Sequence, residues 1–270
     1  MITAANPSTF IGVVLQEFRH VRADVPAGLT AALDALDSTY DLTGKVPDKT
    51  DTTIRRELAA AAAAALAAGT DLAADKTIRE LLARAQLADI GVRSLIAEQV
   101  EELRRDVLVD HADELLNALG EAFDQAADEV QTARDAIGPA LDLSSADAVS
   151  IAPASHMTTW GRAYEATQRI GRIGKLWEMI AQFAGKIGGI QNQLRPLLAA
   201  DLTAAQLDEI SGDKPTVISA VVAGFPLELA TPAEFIERCQ RVRDEWETEP
   251  PKPPRPSYLG VNAGRVVNVA

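Results

Sequence analysis

The sequence contains very little cysteine and few aromatic residues. Cys239 is the only cysteine, so an intramolecular disulfide is excluded. We interpret it as a small residue that is partly buried on a helix, rather than as a reactive thiol. Only 4% of the residues are aromatic, whereas alanine is abundant. A core of this composition has to be built from thin helices that pack closely together.

The sequence also lacks a long hydrophobic run and an excess of positive charge. The apolar run from Phe10 to Leu15 is followed at once by Gln16 and Glu17, which makes it too short for a signal peptide or a membrane span. The formal net charge of −13 is the opposite of the dense basic surface that non-specific nucleic-acid binding needs. We therefore expect no direct nucleic-acid partner, and a location in the cytoplasm or in a virion.

The chain is large enough for one large or two smaller domains, because 47% of its 270 residues are hydrophobic. Its charge is unevenly placed. Residues 71–150 contain 18 acidic and 7 basic side chains, a net charge of −11, whereas residues 151–200 carry 6 basic and 2 acidic side chains, a net charge of +4. An acidic block therefore stands next to a basic one.

Helical periodicity runs through most of the chain, and we predict an all-α protein. We expect an elongated helical bundle or a long helical hairpin that carries an extended, proline-rich C-terminal arm. The predicted parts are residues 1–70 with short helices and an alanine-rich helix, 71–140 with a long acidic helix or hairpin, 141–248 with a basic heptad helix and C-terminal helices packed with the preceding parts, and 249–270 as the arm.

The first 70 residues predict three helices. The first begins at Ser8 or Thr9 and ends at about Asp24, and a short one follows Pro26. Residues 38–50 show little pattern and are predicted to form a loop. The alanine-rich run 58–68 predicts a third helix, closed by Gly69, that serves as a closely packed spacer.

A periodic stretch of about 60 residues follows, far longer than an ordinary helix. A capping box from Thr77 to Glu80 predicts its start, with an earlier start at Asp71 as the alternative, and Gly138 with Pro139 predict its end. The stripe runs at steps of three and four through Ile78, Leu81, Ala85, Ala88, Val92, Leu95, Val100, Leu103, Val107, Leu115, Leu119, Phe123, Ala126, Val130, Ala133 and Ile137. It forms either one rod or an antiparallel hairpin that folds back near Asp110 and His111 or at Gly120.

A loop over residues 142–157 precedes a heptad pattern, which predicts a helix-packing seam. The seam residues are Ile170, Ile173, Trp177, Ile180, Ala184, Ile187, Gln191 and Leu194. Two further helices are predicted to begin at Thr203–Gln206 and at Thr231–Glu234, the second with proline at its first position. Residues 217–222 fit either a helix or one short strand.

The sequence changes character at Glu249, where five prolines fall among residues 250–256. Such a segment favours an extended polyproline conformation, which predicts an arm that docks on a partner. The predicted partner-binding residues are Pro250, Pro251, Pro253, Pro254, Arg255, Pro256, Tyr258 and Leu259.

No motif in the sequence supports catalysis, a cofactor or a metal. The run from Gly171 to Lys175 lacks both the first glycine and the final serine or threonine of a phosphate-binding loop. A single Glu17–His20 pair is not a di-iron site, and we interpret it as a surface pair. The acidic clusters Glu98, Glu101, Glu102 and Asp124, Asp128, Glu129 are predicted to be solvated helix faces. We predict that the chain is not an enzyme.

The basic segment 158–195 has two interpretations. Trp160, Trp177, Met179 and Phe183 suit a membrane surface, which makes a membrane-active or secreted helical protein one alternative. We favour a helix that packs against the alanine-rich helix or the acidic block, because the complementary charge is already present there.

The leading functional hypothesis is a non-enzymatic structural or assembly protein. It binds other protein subunits in a homo- or hetero-oligomer through helical faces and the arm. In composition alone the chain resembles phage head accessory, scaffolding and minor virion proteins. A regulatory adaptor that binds one partner reversibly is a further alternative.

Overall fold

The computed structural model describes residues 6–41, 44, 46–48, 52–138, 141–146, 154–210 and 215–248. All regular secondary structure in these ranges is helical, which confirms the all-α prediction. The α-helices are α1 (Pro7–Val21), α2 (Ala27–Asp41), α3 (Thr52–Ala67), α4 (Lys76–Ile90), α5 (Val92–Asp110), α6 (Ala112–Ile137), α7 (Met157–Phe183), α8 (Ala204–Ile210), α9 (Val217–Ala223) and α10 (Pro232–Thr248). Two 3-10 segments occupy Ala154–His156 and Asn192–Leu198. The predicted arm, including all its partner-binding residues, lies outside the described residues.

The ends of the N-terminal helices follow from local capping. The Asn6 side chain accepts a hydrogen bond of 2.9 Å from the Ser8 amide, and Pro7 occupies the first turn, where its missing amide is not needed. Helix α1 therefore begins one residue earlier than predicted. Helix α2 reaches Asp41, so the prediction of a short second helix and a loop from residue 38 was wrong.

Helices α3 and α4 pack side by side as a hairpin, and Arg55 Nη2 lies 2.5 Å from Asp89 Oδ1 across it. Gly69, with φ at +71°, follows α3 as predicted. Helix α4 begins at Lys76, between the two predicted starts at Asp71 and at the Thr77 capping box, because Asp75 caps it by accepting a hydrogen bond of 3.1 Å from the Ile78 amide. Thr77 is consequently a residue inside the helix.

The long periodic stretch is divided into α4, α5 and α6. Gly91 interrupts it at φ +75°, a left-handed conformation that glycine adopts without strain. At His111 the chain kinks, but hydrogen bonds four residues apart persist on both sides, from the His111 amide to Val107 O and from the Leu115 amide to His111 O. Gly120 lies inside α6. Helix α5 packs chiefly on α1 and α2, whereas α6 packs along α7. Helices α5 and α6 therefore do not pair as a hairpin.

A small polar network joins α1, α2 and α5. Glu101 accepts hydrogen bonds from the Ser8 amide at 3.1 Å, from Ser8 Oγ at 2.5 Å and from Arg104 Nη1 at 2.6 Å. Arg104 also binds Asp37 and lies 5.5 Å from the ring centroid of Tyr40. Burial by itself raises the pKa of Glu101, but the hydrogen bonds from Ser8 and Arg104 outweigh it and lower that pKa. The predicted solvated face is wrong at this residue.

The network makes stability depend on pH. A carboxylate whose pKa is lowered by folding stabilises the protein above its ordinary pKa, and this contribution is lost as the pH falls through the lowered value. We expect Glu101→Gln to lower the free energy of unfolding by about 1 kcal/mol near neutral pH, a figure reduced for partial exposure. The difference should shrink in urea titrations as the pH falls through the lowered pKa of Glu101. Glu98→Gln, an exposed change on the same helix, is the control, and a loss that persists in acid would contradict the assignment.

Helices α6 and α7 form the centre of the molecule as an antiparallel pair. Arg169 Nη2 lies 2.7 Å from Glu129 Oε2, and Lys186 Nζ, just beyond α7, lies 2.8 Å from Asp113 Oδ1. The basic segment therefore packs against the acidic block, as favoured from the charges, and not against the alanine-rich helix. Glu129, like Glu101, belongs to an ion pair rather than to a purely solvated face.

The predicted seam lies on one helix only in its first half. Ile170, Ile173, Trp177 and Ile180 are at most 1% exposed on α7. The helix then ends at Phe183, because Gly185 adopts φ +68° and the amides of Gly185 and Lys186 bond back to Gln182 O and Ala181 O. Ile187 is half-buried in the segment that follows, and Leu194 is buried in a 3-10 segment. A continuous heptad helix to Leu194 was therefore wrong.

The C-terminal helices cover one side of α7. Thr231 and Glu234 form the predicted cap of α10, with the Thr231 amide donating to Glu234 Oε2 at 2.8 Å. Residues 217–223 are helical, which settles the choice between helix and strand. Arg238 is buried, and its Nη1 donates to Leu197 O at 3.2 Å and to Glu228 O at 3.3 Å, which ties α10 to the 3-10 segment. Cys239 is buried beside it, and burial raises the pKa of its thiol to about 11.

Candidate protein interface

Exposed large aliphatic side chains concentrate in one part of the fold. Among the described residues seven leucines or isoleucines are exposed, and six of them lie between Leu66 and Leu103. They are Leu66 on α3, Leu82, Leu87 and Ile90 on α4, and Leu95 and Leu103 on α5. Single exposed leucines are ordinary, but a concentration of them marks an interaction surface.

The α3–α4 hairpin is also set apart from the main core. The main cluster of buried residues extends from Phe10 on α1 to Val242 on α10. The buried residues of the hairpin lie outside that cluster, and so does Val100 of α5. The hairpin residues are Ile54, Ala65, Ile78, Leu81 and Ala88. The hairpin thus has one packed face, made of its own two helices, and a second face without a neighbour in the described part of the chain.

Helix α4 also carries large apolar side chains away from its buried stripe, so burial within the hairpin leaves them exposed. Ile78, Leu81 and Ala88 are buried on one side. By helical geometry Leu87 and Ile90 lie on the opposite side, where they are 43% and 68% exposed. Leu82, four residues after Ile78, lies at the edge of the buried side and is 45% exposed. We call Leu87 and Ile90 the α4 outer face.

The outer side of α3 carries almost only alanine. Ile54 and Ala65 are buried toward α4, and the side chains on the opposite side of the helix are exposed and, apart from Arg56, mostly small. They are Ala59, Ala60, Ala63, Ala64 and Ala67, which we call the α3 outer face. Because alanine leaves the backbone accessible, another helix is able to approach this face closely. Helix α3 was predicted to be a closely packed spacer. Because this side of the helix is exposed, that prediction was wrong for it.

Leu95 and Leu103 were predicted to belong to one continuous buried stripe, and this was wrong. Helix α5 instead packs on α1 and α2 through the side that carries Val100 and Leu108, which are 2% and 1% exposed. The break at Gly91 changes the direction of the chain, so the stripe cannot keep facing one neighbour. The sequence did hold a signal for the α4 outer face, because its residues fall off the stripe of Ile78, Leu81 and Ala88.

A cavity of about 370 Å³ lies between α7, α9 and the 3-10 segment, at the run that superficially resembles a phosphate loop. Gly171 and Gly174 form its floor inside a continuous helix, which confirms that the run is not a phosphate loop. Arg195 Nε lies 3.3 Å from Glu178 Oε2, whereas Arg172 and Lys175 are exposed at the rim. The ionisable side chains of the lining are Arg172, Lys175, Glu178 and Arg195, and it contains no histidine or cysteine.

The surface that membrane binding through residues 158–195 requires is largely internal. Trp160 and Trp177 are 5% and 1% exposed, and Phe183 stacks on Phe10 with ring centroids 4.3 Å apart. Within the described ranges, none of the helices combines the length and the apolar character needed to cross a bilayer. His20 Nδ1 lies 3.4 Å from Glu17 Oε1 on the surface, as predicted for that pair.

Comparisons of this chain with protein-family models, with curated proteins and with solved structures found no match.

Proposed function

We propose that this chain is a non-enzymatic structural or assembly subunit that binds other protein subunits through exposed helical faces. The observation that carries the proposal is the concentration of six exposed leucine and isoleucine side chains between Leu66 and Leu103. An apolar surface of this kind costs solubility when it faces water and contributes binding energy when a partner covers it.

The energies indicate what the partner must supply. Full burial of one leucine or isoleucine contributes about 1.5–3 kcal/mol, and these side chains are already about half buried. Six of them therefore contribute several kcal/mol, near the lower end of the roughly 4–15 kcal/mol that association costs in translational and rotational freedom. A stable complex accordingly requires an apolar partner surface as well.

The proline-rich arm is the second element of the proposal and rests on the sequence alone. Five prolines among residues 250–256 favour an extended conformation at little entropic cost, and Tyr258 and Leu259 offer apolar side chains beyond them. The alanine- and aspartate-rich composition, with the trailing arm, favours a place among phage head accessory, scaffolding or minor virion proteins. In such assemblies one subunit contacts several neighbours, which suits a chain with separate helical and extended binding elements.

The test compares the native size of the full chain in an extract of the cells that produce it. The wild type is expected to sediment in a species clearly larger than its 28.7 kDa monomer. The double variant Leu95→Glu, Leu103→Glu and a deletion of residues 250–270 are each expected to shift it to smaller species, with an unchanged far-ultraviolet circular dichroism spectrum.

Ile236→Glu is the matched control, since Ile236 is 53% exposed on α10, away from the proposed surface. It should leave the sedimentation profile as it is in the wild type. Wild-type chain that sediments only as a monomer in the extract would overturn the proposed function.

A further inference from the structure

We infer that the cavity between α7, α9 and the 3-10 segment Asn192–Leu198 binds one small soluble molecule, namely a phosphate monoester carried on an apolar body. Its volume of about 370 Å³ lies within the roughly 300–1,000 Å³ that is usual for small-molecule sites. The inference goes beyond the proposed function and does not depend on it. It rests on an apolar floor, on two cations at the mouth and on a buried arginine N–H group.

The inner part of the cavity is apolar. Gly171 and Gly174 of α7 present backbone without side chains there, and Leu198, Val217 and Ile218 contribute aliphatic side chains to the lining. A β-carbon on Gly171 would lie 2.8 Å from Ile218 Cδ1, so α9 approaches the bare backbone of α7 closely at this point. This part of the cavity therefore suits a hydrocarbon or aromatic group, which is stabilised by leaving water.

The mouth carries two cations that no carboxylate of the described residues neutralises. Arg169, three residues earlier on α7, is paired with Glu129. Arg172 and Lys175 line the cavity and are exposed, and neither forms an ion pair within the described part of the chain. Because they stand three residues apart on one helix, both side chains are able to reach the same anionic group. Two positive charges match a phosphate monoester, which carries a charge of about −1.5 to −2 near pH 7.

A third basic side chain of the lining offers a hydrogen-bond donor. Arg195 Nη2 donates to Glu178 Oε1 at 3.3 Å, so the charge of this arginine is already balanced. Arg195 Nε is buried and lies 3.3 Å from Glu178 Oε2, but among the described residues it has no acceptor in hydrogen-bonding geometry. Buried donors without an acceptor are rare in folded proteins, and a phosphate oxygen is a suitable acceptor for this one.

The surrounding charge restricts the ligand to a single small anion. The net charge of −13 repels a polyanion such as a nucleic acid, whereas a small molecule meets mainly the field of the cavity itself. Side chains of a continuous helix hold the phosphate in this arrangement. It therefore differs from a phosphate-binding loop, in which backbone amides surround the anion.

The experiment is isothermal titration calorimetry on the purified full chain with octyl phosphate, kept below the concentration at which it forms micelles. Octanol and inorganic phosphate, the two halves of this probe, are titrated separately. Octyl phosphate is expected to bind at one site with a dissociation constant below about 1 mM, and each half at least about 10-fold more weakly. In nitrogen–proton correlation spectra, octyl phosphate should shift the amide signals of Gly171 and Gly174.

Removing the two cations of the mouth tests the phosphate contact. Arg172→Ala combined with Lys175→Ala should raise the dissociation constant of octyl phosphate about 10-fold and leave the weak binding of octanol unchanged. Arg105→Ala combined with Arg162→Ala is the matched control, since it removes the same charge from exposed positions of α5 and α7 outside the cavity. Thermal unfolding checks that both double variants keep the fold.

A membrane lipid with a phosphate monoester head group presents the same chemistry from a different source. Flotation with vesicles of phosphatidylcholine and phosphatidic acid separates the two. We expect the chain not to float with these vesicles. Flotation that Arg172→Ala combined with Lys175→Ala abolishes would assign the cavity to a membrane surface and overturn the soluble ligand.

The inference is overturned if octyl phosphate does not bind, or if it binds no more tightly than octanol or inorganic phosphate. Equal affinity of the two double variants would also overturn it. Binding that leaves the signals of Gly171 and Gly174 in place would put the octyl chain elsewhere, for example on the exposed leucines of α3 to α5, with the same consequence. None of these results changes the sedimentation expected for the proposed function.

Discussion

Replacing Trp177 with alanine is expected to lower the free energy of unfolding by about 3–5 kcal/mol, because the deleted indole leaves a cavity in a closely packed core. Trp177 is 1% exposed and meets Phe235 of α10 edge to face, with ring centroids 5.6 Å apart. The change therefore removes contacts within α7 and also loosens the C-terminal helices from it. Urea unfolding followed by circular dichroism measures the loss.

Ile236→Ala is the control for this substitution. Ile236 lies next to Phe235 but is 53% exposed, so its truncation should cost less than about 0.5 kcal/mol. A loss below about 1 kcal/mol for Trp177→Ala would contradict the central place of this residue in the core. Because Trp177 is buried, it is also unsuitable for testing membrane binding. A Trp177→Glu variant that no longer bound liposomes would have lost its fold, and the result would not show that Trp177 contacts a membrane.

Gly174→Ala is expected to destabilise the protein by about 1–2 kcal/mol even though alanine favours a helix more than glycine does. A β-carbon on Gly174 would lie 2.6 Å from Val217 Cγ2 of α9, and Val217 is itself buried. The close crossing of α7 and α9 thus depends on the absence of a side chain at this position. Thermal and urea unfolding measure the change.

The matched control is Gly120→Ala in the middle of α6, where an added β-carbon meets nothing within 4 Å. There the helix propensity acts alone, and the substitution should stabilise the protein by about 0.5–1 kcal/mol. Combining Gly174→Ala with Val217→Ala removes the clashing methyl groups and should recover part of the loss, as a non-additive pair. Equal effects at Gly120 and Gly174 would show that α9 does not pack on α7 in this way.

The proposed interface illustrates how far a periodic pattern leads. The steps of three and four from Ile78 onward correctly predicted helix, because the pattern depends only on neighbours within the same turn. The same pattern suggested that Leu95 and Leu103 are buried, and this failed because α5 turns another side toward α1 and α2. Which side of a helix is covered depends on segments far away in the chain.

The sequence by itself determined several of the helix ends. The Thr231–Glu234 cap, the left-handed glycine Gly69 and the alanine run between residues 58 and 68 act through bonds within a few residues, so no tertiary contact is needed to interpret them. The opposite charges of neighbouring segments also indicated the pairing of α7 with the acidic block. A helix cap depends on residues that are close in sequence, and the net charge of a segment is a sum over its residues. Both can therefore be derived from the linear sequence.

Only the tertiary structure decided which apolar residues are left uncovered and what the glycines of α7 are for. Gly171 and Gly174 lie off the heptad seam. Their role follows from tertiary packing, because Ile218 and Val217 of α9 occupy the space that a β-carbon would need. Leu87 and Ile90 become an outer face only because α3 covers the other side of α4 and the main core lies elsewhere. Burial is a property of the assembled helices, because solvent is excluded by neighbours that the local sequence does not specify.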